Sequence, residues 1–286
     1  IIQEFQEKHP DLIKICGNSS NLGITRNFER GIREASGDVI ALADQDDIWA
    51  PNKLARQANQ LSKSSGSLVF HNVETVDESL HHIGDHWENI GYEPGITAES
   101  RKALFRLICG NYIKGSTIMF ESTLRDKIIP FPDDIGYDWY IAIMALILSE
   151  IVEIDEKLQK WRLHDAQASH PAPETFLRKI QQGIVSKGNT DYYRKQTAKW
   201  ASLEQRITDV EEDQFTLERE FVIKLIQDRY RYERNRAIIY DEEAGLFQSL
   251  PALFSNLQGK RYARYGNAPT YLYALKDGYH AYSHLF

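Results

Sequence analysis

The chain has 286 residues, 42% hydrophobic and 26% charged, which suits a globular protein with a sizeable core. Its 41 acidic against 34 basic side chains leave a net charge of −7, the wrong sign for a general nucleic-acid binder, though no obstacle to a small anionic ligand. Cys16 and Cys109 lie far apart without CxxC spacing, which argues against a disulfide framework or a zinc site and for reduced thiols in a cytoplasmic protein. The longest apolar stretch, Trp139 to Leu148, is far short of the roughly 18 residues that a membrane-spanning helix needs.

No signal-peptide pattern is visible at the start. Ile1 to Lys8 reads as an amphipathic helix, and Leu12-Ile13-Lys14-Ile15 as a strand. Asn21-Leu22-Gly23 and Arg26-Asn27 then precede a helix whose apolar positions Phe28, Ile32 and Ala35 follow a helical period. Gly37-Asp38 turns the chain into Val39 to Ala43, an apolar run with the length of a buried strand, which ends abruptly in Asp44-Gln45-Asp46-Asp47. Taken alone, such a cluster can be a solvated turn or a helix cap. At the carboxyl end of a strand in an open α/β sheet, however, carboxylates project into the ligand crevice. There they can hold a hard divalent cation, Mg²⁺ or Mn²⁺, which bridges phosphate oxygens. Downstream, Ile48-Trp49 leads to Pro51, suited to a first helical position, and Leu54, Ala58 and Leu61 share one helix face.

The ordered string Asn-x-Gly, Arg-Asn, Gly-Asp, Asp-x-Asp-Asp and Trp-x-Pro-x-Lys-Leu resembles the family 2 glycosyltransferases of GT-A fold. Its Asp-Gln-Asp-Asp-x-Trp form is most similar to the bacterial rhamnosyltransferase-like branch that builds O-antigen and capsule polysaccharides. The helix, strand, helix, strand, helix order up to residue 65 agrees with an α/β fold whose sheet is mostly parallel and flanked by helices. In that family a βαβ unit, roughly 30 residues or more, carries the first strand and acidic sites for the base and ribose ahead of this point. Such a unit is missing here, so the expectation is an N-terminally truncated sheet, through either a fragment or loss of part of the donor site.

Further along, Ser67 to Asn72 reads as a strand. The polar segment Asp77 to Gly95 holds His81, His82, Asp85, His86 and Glu88, in a spacing that fits no compact ligand set and suggests a flexible acceptor-side loop. Ala98 to Ile108 is expected as a helix with Thr97 as its cap. Gly110 to Phe120 has a β-rich end, and Gly115 would permit close backbone approach. Phe131-Pro132 breaks the chain before Gly136-Tyr137-Asp138-Trp139, where Asp138 by residue type would be an N-cap of the apolar helix. Ile151 to Ile154 and Leu158 to Trp161 read as a final strand pair that delivers Arg162 and His164 on one side of an extended segment. From 171 to 286 a helical extension is expected, with two long charged helices broken near Lys187-Gly188-Asn189, and His170 at its entrance is left to solvent. The tail from Pro251, with six tyrosines and Lys260, Arg261, Arg264 and Lys276, suits either packing onto the catalytic domain or peripheral contact with the inner face of the cell membrane.

The resemblance covers residues 1 to about 170, the expected glycosyltransferase domain. It implies transfer of a sugar, rhamnose foremost, with inversion, from a nucleoside diphosphate-sugar to a hydroxyl of a growing bacterial surface glycan carried on a lipid. It further implies Asp138 as general base, Asp46 as first metal ligand and nucleotide-sugar contact, Asp44 as a residue for the metal or the ribose, and His164 as an auxiliary ligand of the metal or a contact of the diphosphate. Arg26 and Arg162 would meet the phosphates, and Asp47 would orient the following helix. Asn21, Gly23 and Asn27 would shape the loop. Two other classes stay open: a non-catalytic relative that scaffolds glycan assembly, and a metal-dependent nucleotidyltransferase. Against the latter, no Gly-rich phosphate loop precedes the acidic strand.

Overall fold

The computed structural model describes residues 1–164, 190–241, 243–266 and 270–283. The expected domain boundary near 170, His170 and the break at Lys187-Gly188-Asn189 lie outside the described residues.

The first half is a six-stranded mixed sheet with helices around it. Its elements run α1 (Ile2–Lys8), α2 (Gly23–Glu34), β1 (Val39–Ala41), β2 (Ile48–Trp49), α3 (Lys53–Ser62), β3 (Leu68–Val76), β4 (His82–Asp85) and α4 (His86–Ile90). They continue with α5 (Ser100–Cys109), β5 (Met119–Glu121), α6 (Ser122–Ile128), α7 (Tyr137–Leu148) and β6 (Ile151–Arg162). The strand order is β1-β5-β3-β6-β2, with β4 added to β3. β3 and β6 are parallel, and the other paired strands are antiparallel. The sheet is therefore less parallel than expected. β5 inserts between β1 and β3 in the opposite sense, so those two strands point the same way without touching.

Several local expectations shift. Leu12 to Ile15 form no strand; Leu12 and Ile15 are exposed, and no strand lies alongside to take their backbone hydrogen bonds. α2 begins at Gly23, so Arg26 and Asn27 are inside the helix rather than ahead of it. The Asn21 side chain accepts the Gly23 N–H at 2.8 Å, and Gly23 takes φ +75°, a bend that starts the helix early. Pro51 sits in the turn before α3. Thr97 lies in a 3₁₀ turn, and Glu99 flanks α5. The polar segment 77–95 is ordered as β4 and α4, with Trp87 buried beneath it. The expected final strand pair is one strand, β6. Its register against β3 jumps from His71↔Ile154 to Asn72↔Lys157, so Asp155-Glu156 bulges out and interrupts the apolar pattern without ending the strand.

α7 is apolar on every side, with Tyr140 to Ile147 fully buried, as a helix must be when it is covered all round. The sheet covers part of it, and the C-terminal helices cover the rest. These are α8 (Thr190–Thr208), α9 (Arg219–Ile239), α10 (Leu246–Gln258), α11 (Arg261–Tyr265) and α12 (Thr270–Ser283). Trp200 of α8 is fully buried and meets Trp139 edge-on, with centroids 5.7 Å apart. Arg206 donates to the Lys127 carbonyl at 2.8 Å, and one apolar cluster runs from Ile32 to Ala281.

The tail's tyrosines divide. Tyr262 and Tyr265 are buried, whereas Tyr279 and Tyr282 are exposed beside Leu275. The buried set closes around Asp277, which has no exposed surface. Arg236 Nε donates to it at 3.0 Å, and the hydroxyls of Tyr240 and Tyr262 each do so at 2.7 Å. Removing one partner of a buried ion pair strands the other charge. Asp277→Ala is expected to lower the unfolding free energy by about 3–5 kcal/mol in urea titrations; a loss under about 1 kcal/mol would show that Arg236 reaches solvent instead.

Candidate active site

β1, β3 and β6 all point their carboxyl ends to one edge of the sheet. The turn into the reversed strand β5 and the amino end of α7 arrive at that same edge. Five separate pieces of chain therefore meet there.

The acidic loop after β1 is held from beneath. Asp47 Oδ2 accepts hydrogen bonds from the Ser116 hydroxyl at 2.8 Å and from Gln159 Nε2 at 2.7 Å. Gln159 Oε1 accepts from Lys53 Nζ at 2.6 Å, and the same ammonium donates to the Ser116 carbonyl at 2.7 Å. Lys53 is only 1% exposed and lies 4.0 Å from the Trp49 ring centroid, which explains the Trp and Lys of the Trp-x-Pro-x-Lys string as one unit. Burial pushes the Lys53 ammonium down to about 8, against the pull of Asp47 and Asp44. Asp47 thus ties the loop to β6 and to the turn before β5, rather than orienting α3 alone.

Asp46 points the other way. Its Oδ2 lies 2.9 Å from His164 Nε2, so the sequence-distant pair at the ends of β1 and β6 meets as expected. Asp44 is half-buried nearby, and burial raises its carboxyl, as it does that of Asp47, while Lys114 opposes the shift in both. Among the described residues no three His, Cys, Asp or Glu side chains converge as a metal cage. The Asp46 carboxylate is of the kind that suits Mg²⁺ or Mn²⁺, while the His164 imidazole is a softer donor that Mg²⁺ takes less readily. Two protein ligands leave the remaining positions to phosphate oxygens and water, the usual manner of a nucleotide-bound cation.

Asp138 stands in the first turn of α7, with Gly136 rather than Asp138 in the N-cap position. Its Oδ1 accepts the Trp139 N–H at 2.7 Å. Burial raises its carboxyl, while the Trp139 amide, Lys114 and Asn111 favour the ionised form. Next to it, the Tyr137 ring is stacked on Phe28 at 3.8 Å and its hydroxyl end abuts Gly115, where a Cβ would collide with the Tyr137 hydroxyl oxygen. This is the close approach expected of that glycine.

The remaining predicted residues are placed elsewhere or less tightly. Arg26 is spent on Glu29 at 2.6 Å and Asp133 at 2.7 Å. Arg162, opposite Val76 in the ladder, has a buried Nε with no partner among the described residues. His81, His82 and Asp85 pair with Asp77, Glu74 and Lys157, and His86 lies edge-on to Trp161, its imidazole pushed down to about 3 by burial and by Lys114. Three polar residues were not anticipated from sequence: Lys114, Ser116 and Gln159. Lys114 and Ser116 sit in the glycine turn that was noted for its backbone; Gln159 carries no signal in a strand pattern.

Residues 1–125 match the Glycosyl transferase family 2 profile. Over that stretch the chain is similar to the family 2 glycosyltransferases. Its α/β architecture is GT-A-like: S. aureus TarS 1–349, solved in complex with UDP-GlcNAc, superposes with a TM-score of 0.52 over 99% of this chain and 77% of that one, at 15% identity. An uncharacterized protein of Mycobacterium tuberculosis is 25% identical over 174 residues, 60% of this chain and 48% of its own length. The Escherichia coli UDP-Glc:alpha-D-GlcNAc-diphosphoundecaprenol beta-1,3-glucosyltransferase WfgD is 31% identical over 78 residues, 27% of this chain and 30% of its own. The chain spans about half the length of the curated relatives that it matches first.

The buried lysine gives the site a measurable pH dependence. In the folded protein Lys53 releases its proton near 8, and in the unfolded chain near its ordinary 10.5. Between those values the unfolded state binds the extra proton, so folding gains as pH rises. The unfolding free energy of the wild type relative to Lys53→Met is expected to increase from pH 8 to pH 10; a flat difference would mean that the ammonium is solvated.

Proposed function

We propose that this chain transfers a sugar from a nucleoside diphosphate-sugar to a hydroxyl of an acceptor glycan, with inversion at the anomeric carbon. The observation that carries this reading is the meeting, at one sheet edge, of the Asp46–His164 pair, the half-buried Asp44 and the carboxylate of Asp138. Asp138 is the general base. Burial raises it toward a useful basicity, and the amino end of α7 still favours its ionised form. It accepts the acceptor hydroxyl proton as that oxygen attacks the anomeric carbon, from the face opposite the departing diphosphate. Asp46 and His164, with Asp44 close by, would hold the divalent cation. When bound, that cation supplies positive charge to the leaving diphosphate. Arg162, whose Nε has no protein partner among the described residues, is the guanidinium placed to meet phosphate. Arg26, engaged by Glu29 and Asp133, would have to leave those partners to do so.

The Asp-Gln-Asp-Asp-x-Trp form favours rhamnose as the sugar. The printed activity of the E. coli relative, on a diphosphoundecaprenol-linked sugar, favours a lipid-linked acceptor. Among the described residues no helix is long and apolar enough to cross a membrane. Exposed Phe247, Phe254, Leu275, Tyr279 and Tyr282, near Lys260 and Arg264 in the same helical tail, suit peripheral contact with an anionic bilayer.

Asp138→Asn is expected to lower transfer by at least about 100-fold while leaving nucleotide binding within about twofold. The assay is product formation from dTDP-rhamnose and UDP-hexoses on a polyprenyl-diphosphate-linked sugar, with Mg²⁺ or Mn²⁺ and again with chelator. Retained transfer would remove the base assignment, and undiminished transfer in chelator would remove the metal. Pelleting with anionic vesicles at low salt, weakened by Tyr279→Ser with Leu275→Ser, checks the membrane contact; no pelleting of the wild type would reject it.

A further inference from the structure

Lys114 has no assigned part in the arrangement above, yet its surroundings are unusual. Its ammonium lies 3.2 Å from the centroid of the Trp161 ring, on the strand end that delivers His164. A stem that extended into water would not be found there. Its backbone is fixed, because the Lys114 carbonyl accepts from the Thr117 amide at 2.9 Å and from the Thr117 hydroxyl at 2.7 Å. The next two residues are locked in turn, Gly115 beneath Tyr137 and Ser116 in the Asp47 network. The ammonium is placed where Asp44, Asp46, Asp47 and Asp138 all act on it.

What Lys114 lacks is a bonded partner. Among the described residues its ammonium makes neither an ion pair nor a hydrogen bond, so three N–H donors are unspent in a half-buried cleft. Of the other cations close to the site, Lys53 is committed to Ser116 and Gln159 and Arg26 to Glu29 and Asp133, which leaves Arg162 beside Lys114. An aromatic face holds a cation in place without using its donors, and carboxylates at longer range oppose the burial that lowers its pKa. Such an ammonium is prepared for an anion that arrives from outside.

We propose that Lys114 is a binding residue for the donor's diphosphate, its ammonium cradled by Trp161 and turned toward phosphate oxygens beside the Asp46–His164 pair. The assignment rests on the glycosyltransferase reading and adds to it a phosphate ligand from the turn before β5.

Tryptophan fluorescence titrations of the full chain with UDP, dTDP, uridine and thymidine, in divalent cation and again in chelator, test it. Lys114→Met is expected to weaken the nucleoside diphosphate that the wild type binds by roughly 10- to 100-fold, in chelator as well as in metal. Lys114→Arg is expected to recover most of that loss, and the matching nucleoside, which lacks phosphate, to bind wild type and Lys114→Met alike. Equal diphosphate affinity in wild type and Lys114→Met would overturn the assignment of Lys114 alone. A parallel loss of nucleoside binding would also overturn it, by showing a merely structural role. Binding of neither diphosphate by the wild type would overturn the donor reading itself, and Lys114 with it.

Discussion

The candidate site depends on a buried ammonium. A loop with three carboxylates in four residues would, by itself, spread into solvent to separate its charges. Lys53 prevents this indirectly. It does not pair with an aspartate but donates to Gln159 and the Ser116 carbonyl, and their side chains donate to Asp47. A neutral amide and a hydroxyl thus stand between one buried cation and one half-buried anion, and every bond in the relay is short. In a region of low dielectric such a network is rigid when complete and costly when broken. Because Asp47 carries the tether, Asp44 and Asp46 are spared for ligands.

The topology decides which chain segments can join that loop. β5 runs against β1 and β3 and separates them, so the turn that feeds it opens on the same edge as the acidic loop. That turn supplies Lys114 above and Ser116 below. Its glycine admits the hydroxyl end of Tyr137 against the backbone, next to Asp138 in the first turn of α7. A fully parallel arrangement would have given those positions to a different segment. The cleft holds more carboxylates than cations, and its half-buried acids are raised by desolvation and drawn back by Lys114. That balance suits a site whose substrate comes with its own cation.

The helical extension solves a separate problem. α7 is too apolar to face water on any side, and Trp200, Leu203 and Val222 complete its cover. The tail then closes on polar hubs rather than on grease alone. Asp277 gathers Arg236, Tyr240 and Tyr262, and Asp228 takes Arg261 at 2.7 Å and Tyr265 at 3.1 Å. Tyr262 and Tyr265 are structural, and Tyr279 and Tyr282 are left exposed.

Much of this was legible in the chain itself. The acidic run after an apolar strand, the helical period of Phe28 and Ile32, and the apolar α7 are local patterns, and local patterns survive folding because each residue's neighbours in sequence remain its neighbours in space. Gly115 was recognisable as a point of close approach. What only the tertiary structure decided were the matters of distance and direction: that β5 divides β1 from β3, that Leu12 to Ile15 find no ladder partner, that Asp155-Glu156 bulge rather than end a strand, and that Arg26 turns to Glu29. The buried relay through Gln159 and Ser116, and Lys114 on the Trp161 ring, were equally beyond reach. They join residues 43 to 112 positions apart in a network whose energy comes from removing water, and no single segment carries that information before the sheet closes.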